Sequence, residues 1–524
     1  MFARCRLGAL AAVVGLAGCH LIIDYKDSEL DGSGGSGGGC TAGAVEPCYT
    51  GPEGTEGVGV CAAGVMVCQD DGAWTACQGD VTPQTEDCSQ ADDEDCNGFT
   101  CSETVWVRQI GAQAAQAYGG DVAIDPTNGD IYATGYLSGA VAFGNDVLDS
   151  QGETFVAFLA KFNRLGEPQW AKQFGKLNGS ALDGEGAVGE SLAVDGDRNV
   201  ILVGRATPDI DLGGGSLPGG LFIGKFTPAG SLMWSKTCVG DDMHAVVDVD
   251  PGTNDVVLAG SYAIYGSGSI NCGNVTHNGA EDIFVSRLAA VSGQELLSLS
   301  FGGAGSDAVA DMAVDGQGNI LLAGRGEALA LAGGPALTGG FVAKLATNGS
   351  HVWSKGIGEG RPLALGLDGD GGLSITGAGE GMLNFGGGDL EPKGNPDLFV
   401  ARLDAAGVEV WAERFGSMGD NTVYGWDIAV DAGGDIAVAG EVHGNVPIDN
   451  VVIAGDQLAF VAQFTKEGKA QWSRSFGRPG EYKLTFSSID ELIVLGQSSD
   501  ATDFGTGTLQ PAGHPDLFLF KIAQ

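Results

Sequence analysis

One phrase recurs seven times between Val105 and Gln524, and this repetition limits the possible folds of the chain. The phrase is an apolar run of the type Phe-Val-Ala-Lys-Leu, a short turn, a Trp-containing run, and then Phe-Gly or Ile-Gly. Its successive anchor positions lie 64, 64, 63, 56, 58 and 61 residues apart. This period is close to that of one propeller blade with a long loop. The anchors are Trp106, Trp170, Trp234, Leu297, Trp353, Trp411 and Trp472.

Each repeat unit divides into four short apolar runs. In the fourth unit these runs are residues 308–315, 320–324, 341–345 and 352–357, with turns rich in Gly, Asn and Asp between them. Such runs predict antiparallel strands joined by tight turns. The 91 glycines of the chain fit many short strands. Four such strands stacked around an axis form one blade of a β-propeller.

The two ends of the repeat region complement each other. The region opens with a Trp run, residues 105–111, that has no preceding partner run. It closes with residues 517–522, which no Trp run follows. Pairing these two runs would complete the last blade and leave no long exposed edge. The sequence therefore predicts an all-β fold: a seven-bladed β-propeller of four-stranded antiparallel blades over residues 103–524, closed by its N- and C-terminal strands.

The repeat also supports a family resemblance. The pattern Ala-Val-Asp, Gly-Asn, Leu-Ala-Gly, Phe-Val-Ala-Lys-Leu, Gly, Trp-Ser, Phe-Gly runs through residues 103–524 and resembles the bacterial seven-bladed β-propeller repeat family. Leu297, the extra residue in the run 238–240 and the shortened turn at Asp490-Glu491 depart from it. Since this family occurs at bacterial surfaces, the resemblance implies a fold and a location, but no reaction.

The first residues have the pattern of an export signal. Arg4 and Arg6 precede an apolar run, residues 7–17, that is too short to span a bilayer. The run ends in Leu16-Ala17-Gly18-Cys19, which resembles a bacterial lipobox. The resemblance implies that residues 1–18 are a signal peptide and that Cys19 carries the lipid. An ordinary secretory signal with an incidental cysteine is the alternative.

The residues after Cys19 bear on location. No Asp follows Cys19, so we expect the protein at the outer membrane or cell surface, attached to the membrane through the lipid. Residues 19–39 are rich in Gly and Ser, which predicts a flexible tether.

A cysteine-rich segment follows over residues 40–102. Eight cysteines in a short exported segment predict a small module stabilised by disulfide bonds, and they allow about 105 pairings. Zinc ligation is a weaker alternative because close CxxC pairs are missing. Two further cysteines, Cys238 and Cys272, lie in consecutive repeats and would form another disulfide or remain as buried thiols. The eight cysteines are Cys40, Cys48, Cys61, Cys68, Cys77, Cys88, Cys96 and Cys101.

This cysteine-rich segment resembles one found in myxobacterial-type surface lipoproteins. The resemblance lies in residues 48–61, the run 71–74, and the acidic run 92–98, which is similar to the Asp-Asn-Asp-Cys-Asp-Gly sequence of a metal-binding motif. Closely packed carboxylates repel one another unless a cation lies among them, which makes Ca²⁺ a candidate. A solvated acidic loop is the alternative, and the ligand count favours it. The candidate ligands are Asp92, Asp93, Asp95 and Asn97.

Two residue types recur in the repeats for structural reasons. An Asp ends the first run of each unit, where its carboxylate can cap the backbone amides of the following turn. A calcium loop would also need a distal Glu, which is missing. The recurrent Trp is interpreted as a packing residue between blades. The aspartates are Asp125, Asp195, Asp250, Asp315, Asp368, Asp431 and Asp490.

Charge and motifs narrow the function. A net charge of −41 without a Lys/Arg cluster argues against binding nucleic acid. The histidines are scattered, and HExxH, GxSxG and Walker-type motifs are missing. We therefore expect a monomeric, non-enzymatic platform for a protein or polysaccharide partner. An exported polysaccharide hydrolase or lyase with its site at the channel mouth is the alternative.

Overall fold

A computed structural model describes most of the chain beyond the tether. The described residues are 40–523, without 53, 85–91, 95, 97–99, 101–102, 152–154, 176–185, 208, 239–240, 264–278, 395, 418, 420, 449–450, 479, 481 and 488–490. These residues form 36 strands and no helix, so the all-β prediction is confirmed for them. In this part of the chain there is thus no helix long and apolar enough to cross a bilayer. The signal peptide, Cys19 and the tether lie outside the described residues.

The strands are short and follow one another through turns and loops. In the first half of the chain they are β1 (Val45–Cys48), β2 (Gly64–Val67), β3 (Thr104–Ile110), β4 (Gln116–Ile124), β5 (Ile131–Ser138), β6 (Ala140–Phe143), β7 (Asp146–Asp149), β8 (Val156–Phe162), β9 (Pro168–Phe174), β10 (Gly186–Val194), β11 (Val200–Thr207), β12 (Ile210–Asp211), β13 (Ser216–Leu217), β14 (Gly220–Phe226), β15 (Leu232–Cys238), β16 (Asp241–Val249), β17 (Val256–Ala263) and β18 (Asp282–Leu288). In the second half they are β19 (Glu295–Phe301), β20 (Ala308–Val314), β21 (Ile320–Leu329), β22 (Leu337–Leu345), β23 (His351–Leu367), β24 (Leu373–Asn384), β25 (Asp389–Leu390), β26 (Asp397–Leu403), β27 (Glu409–Phe415), β28 (Thr422–Val430), β29 (Ile436–Ile448), β30 (Val451–Phe464), β31 (Ala470–Phe476), β32 (Lys483–Phe486), β33 (Leu492–Ser498), β34 (Thr502–Asp503), β35 (Thr508–Leu509) and β36 (Asp516–Ile522).

The described residues form two compact units. The first comprises the described residues of 1–50 and 63–80, and the second those of 51–62 and 81–524. In the first unit β1 and β2 pair as a hairpin, and disulfide bonds join Cys40 to Cys68 and Cys48 to Cys77. The second unit contains the disulfide Cys61–Cys96. The prediction of disulfide bonds is thus confirmed, and these three bonds fix part of the pairing that the sequence left open.

Most strands of the second unit belong to four-stranded antiparallel sheets. Within each sheet, neighbouring strands in the order are hydrogen-bonded partners. The four-stranded orders are β4-β5-β8-β9, β10-β11-β14-β15, β16-β17-β18-β19, β28-β29-β30-β31 and β3-β36-β33-β32. A larger sheet follows the order β20-β21-β22-β23-β24-β26-β27, because the long strand β23 pairs with β22 through its first half and with β24 through its second.

Seven strands, which we call the first strands, contact one another in a closed ring. The second, third and fourth strands of each group follow the first strand outwards. In the orders given above, β32 and the second half of β23 are also first strands, although neither stands at the start of an order. β4 contacts β10, β10 contacts β16, β16 contacts β20, β20 contacts β23, β23 contacts β28, β28 contacts β32, and β32 contacts β4 again. Sheets arranged radially with their first strands around an axis define a β-propeller, and the ring encloses its central channel.

The two ends of the repeat region close the propeller. β3 pairs with β36 in an antiparallel ladder in which Gln109 lies opposite Phe518 and Trp106 opposite Lys521. β36 in turn pairs with β33, so one sheet contains strands from both ends of the repeat region. The predicted pairing of the terminal strands is confirmed, and β36 has no exposed edge.

The recurrent Trp residues join neighbouring sheets, as predicted. The ring of Trp353 packs against Gly407 in the turn of the next repeat unit, where a Cβ atom would lie 2.8 Å from the ring. Gly407 has a φ of 77°, so this position favours glycine for both space and conformation. The Trp353 indole N–H donates to the Ala405 carbonyl of the same turn at 3.3 Å. Trp170, Trp234 and Trp411 make the equivalent bond to Pro228, Ala290 and Lys466.

The recurrent Asp opens a turn, as predicted, and it also has a partner that the sequence did not reveal. Asp195 accepts from the amides of Asp197 and Asn199, which caps the turn. Its other oxygen lies 2.7 Å from the Lys225 ammonium, and both side chains are at most 2 % exposed. Lys344 pairs with Asp315 in the same way at 2.8 Å. Lys225 and Lys344, which occupy the Lys position of the repeated phrase, are therefore each half of a buried ion pair.

Candidate binding site at the channel mouth

One position of the first strands forms a layer inside the channel, which we call the inner ring. Each of its members lies opposite the fourth residue of the second strand of its sheet. The sequence differs from strand to strand at this position, although the surrounding phrase is repeated. The inner ring consists of Asp121, Ser191, Val246, Asp311, Ala364, Asp427 and Lys483.

The polar members of the inner ring join one first strand to the next. Asp121 accepts from the Leu192 amide at 2.7 Å, and Asp311 accepts from the Leu365 amide at 2.8 Å. Asp427 and Ser191 accept in the same way from Leu484 and Val247. Val246 cannot accept such a bond, and in its sheet Asp248 accepts from the Val314 amide instead. These carboxylates therefore have a structural role across the seams between sheets.

Their position in the channel raises the pKa of these carboxyl groups. Burial raises the pKa of Asp311 to about 7, and the nearby Asp427 carboxylate adds to this effect. Burial raises the pKa of Asp121 to about 6, while the positive charge of Lys483 opposes the rise. Burial also raises the pKa of Asp427 against the effect of Lys483, and that of Asp248 to about 6. Near neutral pH the channel thus holds less negative charge than its composition suggests.

Towards one mouth of the channel, one position of the second strands has a different side chain in nearly every sheet. We call this set the mouth row. Each member is the sixth residue of its second strand, two positions beyond the residue opposite the inner ring. This row contains aromatic, cationic, anionic and small residues. The mouth row consists of Tyr136, Arg205, Ser261, Arg325, Ala378, Glu441 and Gln497.

A pocket of about 500 Å³ opens at this mouth. Its volume lies within the range of ligand-binding clefts. The charged groups on its walls are Glu190, Arg205 and Lys483, joined by His244, and the ring of Tyr136 forms part of the wall. Much of the remaining wall is glycine, alanine and valine from the first strands.

Three polar side chains of this pocket form a connected group. The Arg205 Nε donates to Glu190 Oε1, and His244 Nδ1 lies 3.4 Å from the same oxygen. Glu190 is the extra residue of a bulge between Gly189 and Ser191, which explains why its side chain reaches the pocket. The Glu190 side chain is 18 % exposed, that of Arg205 38 % and that of His244 56 %. Glu190 Oε2 is buried and has no hydrogen-bond partner among the described residues.

Aromatic rings lie on both sides of the mouth. Tyr118 and Tyr136 stack with their ring centres 4.6 Å apart, and Phe155 approaches Tyr136 edge-on at 5.2 Å. In another sheet Tyr424 stacks on Trp426 at 5.6 Å. Such rings can contact the apolar faces of a ligand.

Asp92 and Asp93, which the sequence nominated as metal ligands, do not line this pocket. Among the described residues no group of three or more His, Cys, Asp or Glu side chains is arranged to hold a metal ion. Asp92 and Asp93 are described, but Asp95 and Asn97 lie outside the described residues, so the calcium site stays a prediction.

Four nominated cysteines remain outside the three disulfides. Cys88, Cys101 and Cys272 lie outside the described residues. Cys238 is fully buried and disulfide-bonded. The pairing of Cys238 with Cys272 therefore stays a prediction.

Sequence reasoning did not single out the residues that form the pocket. His244 was noted only as one of several scattered histidines, and neither Glu190 nor Arg205 belongs to a recognisable motif. The available signal was comparative: once the repeats are aligned, the mouth row is a position at which they differ in chemistry, and Arg205 occupies it in one repeat. The bulge that exposes Glu190 to the channel has no such signal.

Comparison with known proteins agrees with the fold. The family model described as a beta-propeller repeat matches residues 105–136, which include most of β3, all of β4 and most of β5. This match and the closed ring of sheets identify the chain as a β-propeller protein. No curated protein matches the chain in sequence.

Solved structures with a similar chain path are distant in sequence. A virginiamycin B lyase from Staphylococcus aureus is 9 % identical, with 80 % of this chain and 99 % of that chain covered and a TM-score of 0.39. The C-terminal WD40 domain of Sif2 is 11 % identical, with coverage of 80 % and 100 % and a TM-score of 0.38. A gluconolactonase from Xanthomonas campestris is 15 % identical, with coverage of 64 % and 86 % and a TM-score of 0.33. None of these similarities supports the transfer of an activity.

Proposed function

We propose that this protein is an exported, lipid-anchored surface protein whose seven-bladed propeller binds a protein or polysaccharide partner at the channel mouth without catalysing a reaction. The observation that carries the binding proposal is the pocket at the channel mouth; of the mouth row, Tyr136 and Arg205 line it. There, otherwise repeated sheets contribute unequal and chemically reactive side chains, among them Glu190, Arg205 and His244. Loops and strand ends that differ on a regular scaffold are where such folds place their binding residues.

The strand order supports the count of seven blades. Five sheets have four strands each, and the larger sheet divides into two further groups of four if β23 is counted once in each half. Seven successive first strands also contact one another in a closed cycle.

The lipid anchor rests on the lipobox-like sequence that ends at Cys19. Expression of the full chain with labelled palmitate should label the wild type and fail to label the Cys19→Ser variant. Cys5→Ser is the matched control, because Cys5 lies inside the proposed signal peptide and would be removed with it. Labelling of Cys19→Ser equal to that of the wild type would refute the anchor.

Blocking the pocket tests the binding function. Ala310 lines the pocket in the bulge of β20, and Trp426 occupies the equivalent bulge position of β28. Ala310→Trp should therefore fold while filling the pocket. The mature lipoprotein in detergent would be screened on a glycan array and against cell-surface proteins. The Ala310→Trp variant should no longer bind the ligands of the wild type, and its melting curve should be unchanged. Ligands that the variant still binds would refute a site at this mouth.

One observation favours the enzymatic alternative, a polysaccharide hydrolase or lyase. A histidine whose Nδ1 faces a carboxylate, as His244 faces Glu190, is oriented to move a proton through its other nitrogen. Turnover of polysaccharides that is abolished by His244→Ala would establish this second function. Binding without turnover would support the first.

A further inference from the structure

The pocket at the channel mouth has features that narrow its ligand class. We propose that it takes a carboxylate-bearing sugar, a uronate unit of an acidic polysaccharide, and that Arg205 contacts the carboxylate. This inference rests on the proposed binding function of the same pocket and adds the chemistry of the ligand.

The Arg205 guanidinium is held in place and still has an open side. Its Nε donates to Glu190 Oε1, which fixes the plane of the group. Its Nη1 and Nη2 atoms make no hydrogen bond to the described residues, and the side chain is 38 % exposed at the pocket wall. Two parallel N–H groups in a fixed plane match the two oxygens of a carboxylate.

The balance of charge at the pocket differs from that of the whole protein. The chain has 67 acidic residues and 26 Lys and Arg residues. The pocket wall, in contrast, includes Arg205, Lys483 and His244 and a single carboxylate, Glu190. Lys483 also faces the carboxyl groups of the inner ring, so Arg205 and the exposed His244 are the groups available to an anion. The Arg205 guanidinium would repel a cationic ligand.

The pocket walls favour a sugar over a peptide. Protein partners are held mainly by large side chains buried in well-packed pockets. Here the wall is built from Gly119, Gly120, Gly189, Gly260 and small apolar residues, so it has few large side chains that could anchor a peptide. The Tyr136 ring offers an apolar surface for the C–H face of a sugar ring, and Glu190 and His244 can form hydrogen bonds with its hydroxyl groups.

The test compares a uronate oligomer with one ligand that lacks the carboxylate and one that keeps the carboxylate but lacks the sugar. Binding of the mature lipoprotein in detergent would be measured for oligogalacturonate, for the neutral galactose oligomer of equal length, and for oligoglutamate. We expect oligogalacturonate to bind and the other two to bind at least about tenfold more weakly. The neutral oligomer has no carboxylate to pair with Arg205, and oligoglutamate would present its carboxylate in a different position. Arg205→Gln should weaken oligogalacturonate binding about 10- to 100-fold.

A matched arginine provides the control. Arg325 occupies the same mouth-row position in the sheet of β20 to β22 but does not line the pocket. Arg325→Gln should therefore leave the affinity unchanged. Equal loss in both variants would indicate a general charge effect and would overturn the assignment to Arg205.

The outcomes separate this inference from the proposed function. If ligands bind at the mouth, as judged by Ala310→Trp, but Arg205→Gln has no effect on them, the uronate inference fails and the binding function stands. If the pocket prefers oligoglutamate, its ligand is an acidic peptide and the uronate inference also fails. If Ala310→Trp affects no ligand at all, both proposals fail.

Discussion

The side chains of Gln109 and Asp516 lie 407 residues apart in the chain, yet Gln109 Nε2 donates to Asp516 Oδ2 at 2.7 Å. Asp516 is fully buried and also accepts from the amides of Ala512 and Gly513. The bond joins β3 to β36 beside the ladder that closes the propeller. Closure therefore depends on one buried carboxylate as well as on backbone pairing.

Replacing this carboxylate should weaken the closure. Asp516→Ala leaves the amides of Ala512 and Gly513 and the Gln109 side chain without their acceptor, so we expect a loss of about 2–4 kcal/mol in unfolding free energy. Gln109→Ala removes one of these bonds and should cost about 1 kcal/mol. Urea unfolding followed by Trp fluorescence measures both values. Equal midpoints for Asp516→Ala and the wild type would contradict a role of Asp516 in closure.

Much of this fold could be predicted from the sequence because the repeats carry local signals. Alternation of apolar runs with Gly and Asp turns specifies strands, and the unpaired runs around Trp106 and Phe518 specify which ends meet. The partner of the recurrent Asp was not predicted. Lys225 is 30 residues from Asp195, and nothing in the spacing indicates that both are buried in one ion pair.

The residues of the candidate site were harder to predict from the sequence than the fold, for a physical reason. Arg205 and Glu190 meet because a bulge after Gly189 shifts the register of β10, and such bulges have no reliable sequence pattern. His244 comes from the next sheet, and its contact with Glu190 depends on how two sheets pack around the channel. A scan for motifs cannot find such a group, whereas a comparison of equivalent repeat positions can.

The buried ion pairs make a specific prediction about stability. Lys225→Met leaves Asp195 as a buried charge without its partner, so we expect a loss of about 3–5 kcal/mol. Gln463 occupies the lysine position of another sheet as a neutral residue, and Gln463→Met should cost about 1 kcal/mol or less. Urea unfolding measures both. The double variant Asp195→Asn/Lys225→Met should recover much of the loss; a double variant as unstable as Lys225→Met would contradict this explanation.

The Trp residues offer a comparison in which only the hydrogen bond differs. Trp234 and Trp472 are buried to nearly the same extent, 9 % and 7 % exposed. The Trp234 indole N–H donates to the Ala290 carbonyl at 3.1 Å, whereas that of Trp472 has no hydrogen-bond partner in the part of the chain that the structure describes. Both Trp→Phe changes remove the same ring atoms, so Trp234→Phe should cost about 1 kcal/mol more than Trp472→Phe. Thermal and urea unfolding of the two variants provide the measurement, and a larger loss for Trp472→Phe would refute the prediction.

The carboxyl groups of the channel should make the propeller more stable at mildly acidic pH. The pKa of Asp311 is raised from 3.8 to about 7, so the folded protein keeps this proton over a pH range in which the unfolded chain has lost it. The resulting stabilisation is complete below pH 4 and is lost as the pH rises towards 7. Asp121 and Asp248, each with a pKa of about 6, act in the same direction.

The test is the urea midpoint between pH 5 and pH 8. We expect the wild type to be more stable at pH 5, by an amount on the order of 1 kcal/mol for each of these half-buried groups. Asp311→Asn cannot titrate at this position and should reduce the difference between the two pH values. Since the net charge of −41 also grows less favourable as pH rises, the exposed Asp197→Asn serves as the control for general charge. If the stability of Asp311→Asn depends on pH as strongly as that of Asp197→Asn, the channel carboxyl groups do not cause the pH dependence.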